Sequence, residues 1–216
     1  MNYKAVLFDL DGTLLNTLDD LADSMNTVLS KMNLPQHNVE EYKHFIGNGI
    51  FNLAKNTLPT KMQTEDIINQ CVASMREEYN LRITAKTKPY PEIPKLLDSL
   101  IEMGIKVCIL TNKPDPAAKH IVSLLLNKWT FDSVFGDRPG VSKKPDPAVA
   151  LQISKSLGIL PQQFLYLGDS GVDMETANNA GMFAVGALWG YRDEDELKQN
   201  GAKVLIKNPL ELLNLL

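Results

Sequence analysis

Sulfur and imidazole are scarce in this chain. Its 216 residues include two cysteines and three histidines. Two isolated cysteines, Cys71 and Cys108, make neither a disulfide framework nor a zinc site, and both read as small buried hydrophobes. A basic excess is also missing. Lys and Arg number 22 against 26 Asp and Glu, a net charge of -4, which argues against general nucleic-acid binding. No apolar run approaches the ~20 residues that cross a bilayer. The opening Met1-Asn2-Tyr3-Lys4 leads directly into a strand-like run, so no secretory signal is expected there. There is no long block of like charge, no internal repeat and no low-complexity segment. What remains is 44% hydrophobic, ample for a core, at a length that suits one large domain or a domain carrying an insertion. A cytoplasmic location is the expectation.

The strongest local signal lies at the start. The apolar run from Tyr3 to Phe8 ends in Asp9-Leu10-Asp11-Gly12-Thr13. Side chains two apart on an extended segment point the same way, so Asp9 and Asp11 are expected to crowd one side of a strand end. Two carboxylates so placed serve stability poorly and call for a compensating cation.

Further buried strands are expected at Lys106–Thr111, Phe164–Gly168, Phe183–Ala187 and Lys203–Ile206. Helical periodicity fills the intervals, with Ile93, Leu96, Leu97, Leu100 and Ile101 on one face before Gly104. Ala117–Leu126 and Pro147–Leu157 repeat the arrangement. Strands alternating with helices predict an α/β fold, a Rossmann-like parallel sheet covered on both faces. Ligands then bind beyond the carboxyl ends of the strands. The first interval differs. Between Leu14 and Pro89 no convincing strand is found, and helices are expected from Leu18 to Met32, Val39–Ile46, Ile50–Leu58 and Thr64–Tyr79. The expected division is a core of residues 1–15 and 90–216 with an inserted helical cap of residues 16–89. Two chain crossings, one through Pro89 and Pro91, are consistent with a hinge; rigid packing into the core is the alternative.

Three more polar clusters fall where strands end: Thr111-Asn112 after Leu110, Lys143-Lys144-Pro145-Asp146-Pro147 ahead of a helix, and Gly168-Asp169-Ser170-Gly171-Val172-Asp173 after Leu167. A parallel sheet brings these ends to one edge, so Asp9, Asp11, Thr111, Asn112, Lys144, Asp169 and Asp173 should share one crevice. Each motif alone is an ordinary turn or helix entrance. Together they set four carboxylates against one lysine. Oxygen ligands with no nearby His or Cys suit Mg2+.

In their order, Asp-x-Asp-Gly-Thr, Thr111, the Lys144 before Pro145 and Gly-Asp-x-x-x-Asp resemble the haloacid dehalogenase superfamily of phosphatases, across essentially the whole chain. Ile46-Gly47-Asn48-Gly49, Thr111-Asn112-Lys113-Pro114, Lys144-Pro145-Asp146-Pro147 and Trp189-Gly190-Tyr191-Arg192 resemble the phosphoglycolate phosphatases and their near relatives. The resemblance implies a catalytic pair, with Asp9 the nucleophile and Asp11 the acid and base. It implies phosphate binding by Thr111, Asn112 and Lys144, with Lys143 a solvated neighbour. It also implies Mg2+ held by Asp9, Asp11 (through its carbonyl) and Asp169. Asp173 is expected either to orient a metal-bound water or Lys144, or simply to start a helix. Gly47, Asn48 and Gly49 either select the substrate by offering N–H groups to its carboxylate, or form a tight connection between helices. The expected partner is a small phosphorylated metabolite, with no nucleic acid and no membrane, and the chain a monomer or weak homodimer. An inorganic pyrophosphatase and a phosphosugar mutase of the same superfamily are the rival activities, and a non-catalytic sensor has no use for Asp11.

Overall fold

The computed structural model describes residues 3–216; Met1 and Asn2, the head of the expected core span, lie outside it. The chain divides into two compact units, Met1–Asn16 with Pro89–Leu216, and Thr17–Lys88.

The first unit begins with β1 (Ala5–Phe8) and ends its opening loop in a two-residue strand, β2 (Leu15–Asn16). The second unit holds α1 (Leu18–Lys31), α2 (Val39–Phe45), α3 (Gly49–Thr57) and α4 (Glu65–Arg82). Leu21, Ala22, Met25, Val28 and Leu29 bury one stripe of α1, and α4 presents Ile68, Cys71, Val72 and Met75. These helices pack on each other. Asn38 and Glu41 close a reciprocal cap at the start of α2. The buried Asp20 carboxylate accepts from the main-chain N–H groups of Lys86 and Thr87 and from Thr87 Oγ1, at 2.7–3.0 Å. That ties the return segment to the start of α1.

A second two-residue strand, β3 (Lys88–Pro89), pairs with β2. Neither short strand was expected, because two residues carry no alternation to read. The rest of the first unit runs α5 (Ile93–Glu102), β4 (Lys106–Pro114), α6 (Asp115–Leu125), β5 (Ser133–Asp137), α7 (Ala148–Leu157), β6 (Phe164–Gly168), α8 (Gly171–Asn179), β7 (Phe183–Ala187), α9 (Glu194–Gln199) and β8 (Val204–Ile206). Its six-stranded sheet has the order β5-β4-β1-β6-β7-β8, with every neighbouring pair parallel. This is the expected α/β, Rossmann-like architecture.

Ala5, Leu7, Cys108, Leu110, Phe164 and Tyr166 meet Val149, Ile153, Met174, Ala177 and Leu197 of α7, α8 and α9 in one apolar cluster. Their alternates Val6, Phe8, Val107, Ile109, Leu165 and Leu167 are also buried, so the central strands are covered on both faces. Burial on both faces is why these strands read as unbroken apolar runs.

One irregularity matters for chemistry. Leu110 of β4 stands opposite Phe135, and Pro114 opposite Asp137, so four steps on β4 face two on β5. The extra residues bulge, and a bulge re-aims its side chains. Here Thr111, Asn112 and Lys113 stand against Gly136 alone, two residues more than the partner strand has.

Candidate functional site

The carboxyl ends of β1, β4 and β6 converge. Asp9 follows β1 directly, and its N–H donates to the Leu167 carbonyl of β6 at 2.9 Å. Asp169 follows β6, and Asp173 lies in the first turn of α8. Carboxylate oxygens of Asp9, Asp169 and Asp173 come within 4.8 Å of one another, all three residues buried. Lys144 Nζ reaches between two of them, 2.9 Å from Asp9 Oδ1 and 2.6 Å from Asp173 Oδ1.

Each acid is held by its own scaffold. Asp169 accepts from Thr13 Oγ1 and from the Tyr191 N–H, both at 2.8 Å. Trp189 Nε1 in turn donates to the Thr13 carbonyl at 3.0 Å. A Cβ on Gly12, whose φ is +88°, would lie 2.3 Å from Asp169 Oδ2, and one on Gly190 would lie 2.2 Å from its Cβ. Both glycines are needed for that close approach. Asp173 Oδ2 accepts from the Ser170 N–H and Oγ, while Ser170 caps α8 in return. Asp173 thus stands in the first turn of α8 and pairs with Lys144. Asn112 clamps the lysine loop: Lys144 N–H donates to Asn112 Oδ1 at 3.0 Å, and Asn112 Nδ2 donates to the Lys144 carbonyl at 3.3 Å. Thr111, buried in the same loop, accepts from the Lys113 N–H through its hydroxyl.

Asp11 stays near enough for its charge to push Asp9 up further, yet it is not one of the three. β1 ends at Phe8, so alternation no longer governs the next residues. The Asp11 carboxylate lies outside the group of three and is held by Lys113 Nζ at 3.0 and 3.2 Å. Balancing these acids takes two lysines, not one. Lys113 is the residue the sequence reading missed. Its signal was adjacency to Thr111-Asn112, but only the bulge turns it toward Asp11. Lys143 pairs with Asp137 at 2.8 Å, away from the acids. Gly47, Asn48 and Gly49 lie in the other unit, where Asn48 immediately precedes α3 and its carbonyl accepts from Asn52.

Burial pushes the Asp9 carboxyl up to about 7, helped by the charge of Asp173 and opposed by Lys144. Burial lifts Asp169 to about 8, with Asp173 and Asp9 adding to it. Burial alone pulls Lys144 down, but Asp173 and Asp9 overcome it and hold the ammonium well above the usual lysine value. One cation serves two of three crowded acids, which is why it stays charged while Asp9 and Asp169 resist ionisation.

The donor set suits a hard dication: carboxylate oxygens only, carrying more negative charge than one ammonium offsets. Asp9 Oδ1 is buried and faces Lys144 Nζ at 2.9 Å. With anionic and cationic groups facing the same strand ends, the site can bind a cation and an anionic oxygen group side by side.

The sequence pattern of the haloacid dehalogenase-like hydrolases matches residues 6–187. The chain belongs to that family. Among its relatives, a phosphoglycolate phosphatase of Aquifex aeolicus is 33% identical over 87% of this chain and 86% of its own length. A phosphoglycolate phosphatase of Haemophilus influenzae is 30% identical over 99% of this chain and 98% of its own. The crystal structure of a predicted phosphoglycolate phosphatase from Haemophilus somnus superposes with a TM-score of 0.92 at 28% identity, covering 100% of this hydrolase and 98% of that chain. Among the described residues of this family member, no helix is long and apolar enough to cross a membrane.

Proposed function

We propose that this chain is a magnesium-dependent phosphomonoester hydrolase of the cytoplasm, acting through an aspartyl phosphate on 2-phosphoglycolate. The carrying observation is the buried group of Asp9, Asp169 and Asp173 around Lys144. Phosphoglycolate as the substrate is supported by the two relatives above, matched over nearly their whole lengths.

Asp9 and Asp169, with the Asp11 main-chain carbonyl, would hold the ion, and Asp173 would reach it through water. When bound, magnesium supplies positive charge between a carboxylate and a phosphate that otherwise repel. An Asp9 oxygen forms a bond to phosphorus while the bond to the leaving oxygen breaks. That oxygen keeps the electron pair and takes a proton from Asp11. In the second half Asp11 takes a proton from water, whose oxygen attacks phosphorus, releases inorganic phosphate and restores Asp9. One group serves both halves because the proton demand reverses. Lys144, Thr111 and the Asn112 N–H steady the transferring oxygens. The helical unit acts as a cap that selects the leaving group, with Gly47, Asn48 and Gly49 offering N–H groups to the substrate carboxylate.

A panel of small phosphate esters, assayed with magnesium for liberated phosphate, tests this reading. Phosphoglycolate should lead. Fastest turnover of inorganic diphosphate would indicate a pyrophosphatase, and isomerised hexose phosphate without phosphate release a mutase.

Protons and the ion compete for the same carboxylates. Asp9 and Asp169 have folded pKa values of about 7 and about 8, above the ordinary 3.8. The folded state then holds more protons than the unfolded state across that interval. Their contribution to stability is therefore complete below pH 3.8 and is lost as pH rises through about 8. In EDTA the melting temperature should fall as pH rises across neutrality. Added magnesium should raise it more at about pH 8 than at about pH 6. Equal stabilisation at both would place the ion elsewhere.

A further inference from the structure

Two buried ammonium groups stand at the strand ends, and the mechanism above employs only one. Lys144 serves Asp9 and Asp173. Lys113 contacts both oxygens of Asp11 with its side chain 4% exposed, against 13% for Asp11. A pair this dry is a costly way to gain stability, because desolvating two charges consumes most of their attraction. It also lies at no ordinary turn. Lys113 sits in the β4 bulge, and its own N–H donates to the Thr111 hydroxyl at 3.2 Å, so the loop is fixed from both ends.

We propose that Lys113 is a positioning residue that keeps the Asp11 carboxylate apart from the Asp9–Asp169–Asp173 group, placed to take up a proton and then pass it to the leaving oxygen. The proposal rests on the phosphatase reading given above. A bare carboxylate two residues from Asp9 would be drawn to any cation held by the three acids and become another ligand. Lys113 supplies a cation of its own, at 3.0 and 3.2 Å from the two Asp11 oxygens. The molecule thereby separates the carboxylates that hold charge from the one that moves a proton.

Leaving-group dependence of kcat/KM tests this, because kcat/KM covers only the steps through departure of the leaving group. The glycolate alkoxide needs a proton as the P–O bond breaks; 4-nitrophenolate does not. With magnesium present, Lys113→Met should lower kcat/KM for 2-phosphoglycolate by about 100-fold and that for 4-nitrophenyl phosphate by less than about threefold. Lys113→Arg, whose fork spans both carboxylate oxygens, should recover much of the loss. In an Asp11→Asn background, Lys113→Met should cost less than about twofold more, since the partner is already disabled. That double variant and Lys113→Gln carry the comparison should Lys113→Met fail to fold. Equal losses on both substrates, or an undiminished loss in the Asp11→Asn background, would overturn the proposal. A wild-type protein inert on both esters would overturn the phosphatase reading itself, and this one with it.

Discussion

Asp9→Asn yields a folded protein whose phosphatase turnover is reduced on the order of 10⁴-fold or more, as expected for loss of a covalent nucleophile. An amide nitrogen or carbonyl cannot form and release the acyl phosphate, so no residual route through this position exists. The fold survives for a local reason. Asn is close to Asp in size, and the Asp9 N–H to Leu167 bond is a main-chain bond that the substitution leaves alone. Lys144 keeps Asp173 at 2.6 Å. Removing one of three crowded acids also relieves the repulsion and burial that push Asp9 up to about 7. In EDTA at about pH 8 the variant should therefore melt no lower than the wild type, and magnesium should stabilise it less. Activity assays, melting curves with and without magnesium, and circular dichroism check the three statements. Turnover within tenfold of wild type would remove Asp9 from the reaction centre.

What the sequence disclosed follows from how each element is buried. β1, β6 and β7 are central, covered on both faces, and stand out as apolar runs. β5 did not, because Ser133-Val134-Phe135-Gly136-Asp137 is a half-exposed edge strand broken by polar and small residues. Its Gly136 is there for a tertiary reason, since a Cβ would lie 2.4 Å from Asp115 Cα. α8 was legible only at its start, through Asp173, because its polar stretch Asp173-Met174-Glu175-Thr176 shows no clean stripe; that start is set by the reciprocal Ser170–Asp173 cap. The ends of the strands told more. Asp9, Lys144, Asp169 and Asp173 meet because a parallel sheet leaves the ends of adjacent strands nowhere else to go. Side-chain direction was harder to foresee. Asp11 turns to Lys113 because β1 stops at Phe8 and β4 bulges after Leu110, and both depend on neighbouring strands. The hold of Trp189 on the Thr13 carbonyl joins residues 176 positions apart and has no local pattern at all.

Lys144→Ala should be the most damaging change to the molecule as a whole, because it strikes rate and stability together. The ammonium is the shared partner of Asp9 and Asp173, and its side chain is 2% exposed. Truncation leaves two buried carboxylates without their cation, a loss of about 3–5 kcal/mol for a broken buried pair. For a chain of this size that lowers the melting temperature by roughly 10 °C. The deficit should shrink as pH falls below about 7, where Asp9 takes up a proton and no longer needs the lysine. Magnesium should recover part of it, since a dication among the same oxygens supplies the missing charge. The rate should not recover in step. Lys144 also offers a directed donor to the transferring phosphoryl group, and removing one such donor costs about 10²–10³ in kcat, with KM rising as phosphate binding weakens. Metal restores charge but cannot restore that donor at that point. Stability that returns with magnesium while turnover stays low is therefore the signature of a lysine doing both jobs, and full activity in the variant would place the phosphate clamp on another residue.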